Sequence, residues 1–239
     1  MTNFIRVDIN TTQADGKSIQ HSGAETEGIN MRILLLSPHT DDVELGCGGG
    51  VTKFLEDGHE IFWMVFSTAE ESLPPSLPRD SLLNEFKGVL ASYNLENGQS
   101  RVFNYQVRNL GQHRQEILEE LIRTKDQFRP DLVIGPSKND YHQDHQVVAH
   151  EMIRAFKSAA SIISYELPWN HVTFDTQLFI KLQRLHLEKK CEVLQRYKSQ
   201  LMNEKSYFSE EYIYGLARTR GVQCNAEYAE AFEVVRWML

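Results

Sequence analysis

Apolar residues in this chain fall into short unbroken runs, and between the runs they recur every three or four positions. Met31 to Leu36 is apolar apart from Arg32; too short for a globular helix and without alternation, it predicts a strand buried on both faces and stopped by Pro38. Leu45, Val51, Phe54 and Leu55 then recover helical spacing up to Gly58. Glu60 to Phe66 predicts a second buried strand, followed by a helix marked by Leu82, Leu83, Phe86, Val89, Leu90 and Tyr93. Val102 to Tyr105 reads as a short strand. Ile117, Leu118, Leu121, Ile122 and Phe128 mark a helix closed by Pro130. Asp131 to Gly135 predicts a strand ended by Pro136, and Val147, Val148, Met152, Ile153 and Phe156 mark the helix after it. Ser161 to Glu166 and Gln177 to Leu182 read as further strands. Leu185, Leu187, Cys191, Leu194, Tyr197 and Leu201 line one long helix, and Tyr228 to Val235 is the last strand.

Strands alternating with helices predict an α/β fold, a doubly wound and mostly parallel sheet with helices on both faces, Rossmann-like and without internal repeat or linker. The chain therefore reads as one domain over residues 31–239. Residues 1–30 are mostly polar and read as a mobile N-terminal extension, in which Ile5, Val7 and Ile9 alternate with Arg6 and Asp8 and predict one edge strand.

Composition narrows the function. A length of 239 residues can bury a sizeable core in a single domain, and 41% hydrophobic with 24% charged residues is ordinary for a globular chain. The net charge of −8, with no basic stripe, argues against nucleic acid as a partner and favours a small molecule. Nothing approaches the ~20 consecutive apolar residues of a membrane span. Cys47, Cys191 and Cys224 are odd in number and widely spaced, so they suggest neither disulfides nor a thiolate metal site, and they imply a reducing cytoplasm. Assembly into a homo-oligomer stays open.

The charged residues at the ends of two predicted strands carry the chemistry. After the first strand come His39, Asp41 and Asp42, at the carboxyl edge of the sheet where ligands bind in open α/β folds. One aspartate would suffice to cap the following helix. Two beside a histidine repel each other unless a cation or a proton lies between them. After the strand ending at Gly135 comes a second cluster, His142, Asp144 and His145, running into a helix. Two imidazoles and one carboxylate with an open position make a catalytic zinc site, and His39, Asp42 and His145 supply that set. Asp41 is then placed as base for a water whose pKa zinc lowers towards ~7. Asp144 is expected to hold the ring of His142 and favour its charged form, so that His142 stabilises an oxyanion or protonates a leaving amine. Hydrolysis of an amide follows from these parts. His113, His150, His171 and His186 lack such a setting and read as ordinary.

Two other classes compete. Gly46-Cys47-Gly48-Gly49-Gly50 suggests a nucleotide loop, as in a methyltransferase or oxidoreductase, yet it starts far from the strand and misses the G-x-G-x-x-G spacing; close helix packing is the plainer use of these glycines. A metal-binding subunit without turnover would need neither Asp41 nor His142.

Pro38-His39-Thr40-Asp41-Asp42-Val43-Glu44 and His142-Gln143-Asp144-His145 resemble the two motifs of the PIG-L/LmbE-like family of zinc-dependent N-acetylglucosamine deacetylases, Pro-His-Pro-Asp-Asp-x-Glu and His-x-Asp-His. The resemblance extends from Met31 to about Val235. It implies one zinc on His39, Asp42 and His145, Asp41 as base, His142 at the oxyanion, and an N-acetylated amino sugar or its conjugate as substrate, with a non-sugar amide as the alternative. Thr40 departs from the family's proline. Arg79, after a proline-rich loop, is the expected contact to sugar hydroxyls or to an attached anionic group.

Overall fold

In the computed structural model, which describes residues 30–95 and 98–238, the first apolar run forms β1 (Arg32–His39) and the glycine-rich segment forms α1 (Asp42–Glu56). Then follow β2 (Glu60–Ser67), α2 (Ser81–Ser92), β3 (Ser100–Val102), α3 (Arg114–Phe128), β4 (Leu132–Pro136), α4 (Gln143–Phe156) and β5 (Ser161–Tyr165). The chain closes with β6 (Leu178–Leu182), α5 (Arg184–Leu194), α6 (Lys198–Leu201), α7 (Glu210–Gln223) and β7 (Tyr228–Arg236). The sheet order is β3-β2-β1-β4-β5-β7-β6. The pairs from β3 through β5 are parallel, and β7 lies antiparallel to both β5 and β6.

The periodicity of β1 explains the two-layered wrapping. Ile33 and Leu35 point into one core, with Trp63, Phe86 and Leu194, while Leu34 and Leu36 point into another, with Phe66, Ile117 and Phe156. A strand with both faces dry has no polar position to spare, which is why it reads as a continuous apolar run. No helix among the described residues is long and apolar enough to cross a membrane.

Several boundaries differ from the sequence expectation for identifiable reasons. Pro38 does not stop β1. By that point pairing with β4, last seen at Leu35↔Ile134, has ended, and the strand continues to His39 on β2 alone, where a missing N–H on the open side is tolerated. β3 is Ser100–Val102 instead of Val102 to Tyr105, although Phe103 and Tyr105 still donate backbone N–H groups to Val65 and Phe66. The long helix expected through Leu201 ends at Leu194, and Tyr197 stands between α5 and the single turn of α6 with its hydroxyl turned into the site. Helix α7 has no counterpart in the expected elements. The edge strand expected at Ile5 to Ile9, like the rest of the extension, lies outside the described residues.

Candidate active site

β1 and β4 are sheet neighbours, so the loops leaving their carboxyl ends meet, although residues 39 and 145 are far apart in sequence. They bring together three donor atoms. His39 Nδ1 lies 3.3 Å from Asp42 Oδ2 and 3.2 Å from His145 Nε2, and the remaining side, His145 Nε2 to Asp42 Oδ2, is 3.3 Å. Ligands ~2.0–2.1 Å from one tetrahedral zinc are spaced by about this much. One nitrogen from each of His39, His142 and His145 also lies within 4.8 Å of the others, a second set that could hold a metal ion.

The far nitrogens of the same two rings are also engaged. His39 Nε2 is 3.1 Å from Asp144 Oδ2, and His145 Nδ1 is 2.7 Å from Asp140 Oδ2. A carboxylate behind each ring fixes its orientation and leaves the inward nitrogen as the donor, the arrangement usual behind metal-ligating histidines. The charges respond accordingly. Burial works against both rings, yet Asp42 and Asp144 raise His39, and Asp42 with Asp140 pushes His145 up to about 10. Burial likewise opposes ionisation of Asp42, but His145 and His39 hold its carboxyl well below the usual range.

Asp144 therefore does something other than expected. Its carboxylate holds His39 and accepts the backbone N–H groups of Arg108 and Leu110, at 2.6 and 3.2 Å, and does not hold the ring of His142. His142 is instead the N-cap of α4, its Nδ1 accepting the Asp144 N–H at 3.2 Å. Burial, followed by the charges of His145 and His39, lowers His142 to about 4. The ring is thus neutral near pH 7, with its proton on Nε2, so the expected charged form is not favoured.

Asp41 stands at the N-cap position of α1 and makes no side-chain capping bond, so the capping explanation fails for it. Burial, then the neighbouring Asp42, raises its carboxyl above the ordinary value. Glu44 is fully buried, and burial raises its carboxyl well above the usual range. Tyr197 Oη lies 2.5 Å from both Glu44 Oε1 and the Thr40 carbonyl, two acceptors for its hydroxyl.

Helix α1 is broken at Cys47 (φ −149°, ψ 28°). Lys190 Nζ donates to the freed Leu45 carbonyl at 2.8 Å, while Gly49 and Gly50 donate their N–H groups to the Glu230 carboxylate at 3.1 and 2.7 Å. Glu230 thus occupies the place a nucleotide phosphate would need, and the glycines serve close packing: a Cβ on Gly46 would lie 2.6 Å from the Tyr165 ring.

The catalytic candidates face one cavity of about 270 Å³, lined by His39, Asp41, Asp42, His142 and His145 and also by Arg108, Gln200 and Lys205. Trp169 and Tyr207, stacked 3.9 Å apart, form an aromatic wall. Arg79 lies on an exposed turn and is not among the lining residues. Asp140, Arg108, Lys205 and the aromatic pair were not legible as site residues, because all lie in loops or short turns with no period to read. The one available signal was that Asp140 precedes His142 and His145 in a segment already singled out.

A family model described as PIG-L: GlcNAc-PI de-N-acetylase matches residues 34–156. Over 174 residues, 70% of this chain and 90% of the other, the chain is 26% identical to a protein of Escherichia coli (strain K12) named "Uncharacterized deacetylase YaiS". Among solved structures it resembles N,N'-diacetylchitobiose deacetylase from Pyrococcus horikoshii, with a TM-score of 0.71 at 18% identity over 86% of this chain and 84% of that one. It also resembles GalB, the 4-carboxy-2-hydroxymuconate hydratase of Pseudomonas putida KT2440, with a TM-score of 0.68 at 18% identity over 87% and 98% of the two chains. At such identities these two likenesses concern the fold alone.

Proposed function

The chain belongs to the PIG-L family of de-N-acetylases, whose model spans more than half of it, and from that premise we propose that it is a zinc-dependent hydrolase removing the acetyl group from an N-acetylated amino sugar or its conjugate. The observation that carries the reading is the His39, Asp42 and His145 triangle, with Asp144 and Asp140 behind its two rings and Asp41 and His142 in the same cavity. His39, Asp42 and His145 would hold the zinc, which supplies Lewis-acid polarisation of the amide carbonyl and lowers the pKa of water.

The remaining work falls to the chain's own groups. Asp41, raised by burial and by Asp42, accepts the proton of the attacking water as its oxygen bonds to the carbonyl carbon. The neutral ring of His142 donates its Nε2–H to the oxygen that gains negative charge. Asp41 then returns the proton to the nitrogen as the C–N bond breaks, which yields a free amine and acetic acid, whose remaining proton is lost to solvent to leave acetate. Asp144 and Asp140 keep the two ring nitrogens aimed inward throughout.

Elemental analysis of protein purified without added metal, combined with an acetate-release screen over N-acetylglucosamine, its glycosides and its anionic conjugates, tests this reading. About one zinc per chain and acetate release abolished by chelation are expected. Metal-loaded protein silent across the panel would turn the reading to a non-sugar amide, and protein that neither binds metal nor responds to chelation would end the zinc mechanism.

A further inference from the structure

Several cations among the described residues have a carboxylate partner, whether buried or exposed. Lys190 meets Glu230, Arg220 meets Glu166, and Arg114 meets Glu151. The exposed Arg108 and the half-buried Lys205, which line the reaction cavity, do not. Arg108 Nη2 donates to Ser72 Oγ at 3.0 Å and Lys205 Nζ to Gln200 Oε1 at 2.6 Å, and both acceptors are uncharged. Among the described residues neither cation forms an ion pair, and each keeps donors to spare, out of five on a guanidinium and three on an ammonium.

Their placement is fixed by the site itself. The Arg108 backbone, at φ 69°, donates its N–H to Asp144 Oδ2, the same oxygen that faces His39. Lys205 leads into the short turn carrying Tyr207, and its ammonium lies 5.6 Å from that ring's centre. The carboxylates in the cavity leave the two cations without a direct partner: Asp42 is committed to His39 and His145, and Asp41 makes no ion pair within 4 Å among the described residues.

We propose that Arg108 and Lys205 form an anion subsite of the reaction cavity, so that the amine-bearing part of the substrate carries a carboxylate or a phosphate. The inference rests on the deacetylase reading in one respect. An acetyl group ends in a methyl and offers no place for the charge, so the anion belongs to the half that leaves as the amine. The planar fork of Arg108 suits either oxyanion, and the point charge of Lys205 adds attraction without demanding one geometry.

The test compares zinc-loaded wild-type protein with Arg108→Gln, Lys205→Gln and the double variant. Acetate release is measured on N-acetylglucosamine, its 1-phosphate and 6-phosphate, and N-acetylmuramic acid, so that phosphate and carboxylate are separate arms. At least one anionic arm should exceed the neutral sugar by about 10-fold or more in kcat/KM, and the double variant should lose about 10- to 100-fold on that arm, mainly through KM, with added salt weakening it further. Equal kcat/KM on neutral and anionic arms overturns the subsite. So does a fall in kcat of the same size on every arm in Lys205→Gln, which would make Lys205 a charge balance for Asp41.

Calorimetric titration of the free amines, glucosamine, its 1-phosphate and 6-phosphate, and muramic acid, reads the subsite without turnover. If no substrate releases acetate but one anionic amine binds more tightly than glucosamine, and the double variant abolishes the difference, the subsite stands while the deacetylase reading falls. If every amine binds alike, or none binds, the subsite falls whatever the turnover shows.

Discussion

Asp140 Oδ2 and His145 Nδ1 lie 2.7 Å apart with both side chains buried, and this contact decides which nitrogen of His145 faces the cavity. Asp140 also accepts the backbone N–H of His142 at 2.7 Å through Oδ1, so one carboxylate holds the ring of His145 and the main chain at His142.

Asp140→Asn should therefore weaken zinc binding by about 10- to 100-fold, because the amide keeps the shape but supplies less basicity behind the ring. Competition with a chelator of known affinity gives the number, and circular dichroism checks that the fold persists. An unchanged zinc affinity would show that His145 needs no such support.

The adjacent carboxylates at the end of β1 should separate cleanly. Asp42→Ala removes one corner of the donor triangle, and metal content should fall with activity. Asp41→Asn should keep the metal and lose roughly two to four powers of ten in turnover, the usual worth of a general base. Near-wild-type turnover in Asp41→Asn would require another residue to take the proton.

Lys190 and Glu230 are only 5% and 6% exposed and lie 2.7 Å apart. Lys190→Met would leave a buried carboxylate without its cation and the Leu45 carbonyl without its donor, for a loss of roughly 3–5 kcal/mol in urea unfolding. A loss below about 1 kcal/mol would mean that the two backbone N–H groups of Gly49 and Gly50 already satisfy Glu230.

The parts of this design that were legible in the sequence are those with a repeating physical constraint. A strand buried on both faces must be apolar throughout, so β1, β2, β4 and β5 stood out, and with them the charged residues that follow β1 and β4. Strand direction has no such signature, and the antiparallel insertion of β7 between β5 and β6 could not be read from its residues. Helix α7 escaped because it buries few residues, Ile213, Ala217 and Gly221, too sparse a stripe for a periodicity argument. Partners across the fold were equally hidden. Nothing in a His-x-Asp-His spacing tells that Asp144 serves His39 on another strand and not His142 two residues away.

His171 should make stability depend on pH in the acid range. Its Nδ1 accepts the Leu167 N–H at 3.3 Å and its Nε2 is buried without a partner. Burial lowers its pKa below 6.5, although the carboxylates of Asp140, Glu233 and Glu166 oppose the shift. The unfolded chain then takes up a proton near pH 6.5 that the folded chain refuses until lower pH, so this contribution is full above pH 6.5 and declines as the pH falls. His171→Gln should flatten the dependence of the urea midpoint between pH 7 and pH 5. Parallel curves for variant and wild type would rule out His171 as a source.

The two halves of the cavity come from different stretches of chain. The groups proposed to bind metal and move protons all lie between residues 39 and 145, whereas Trp169, Gln200, Lys205 and Tyr207 come from the segments after β5. On the proposed reading the reacting groups come from the earlier stretch alone, whereas the recognising groups come from both, since Arg108 precedes β4 and Lys205 follows α6. Change in the later part would alter which amide is admitted and leave the means of cutting it intact, so relatives that share the first half need not share a substrate.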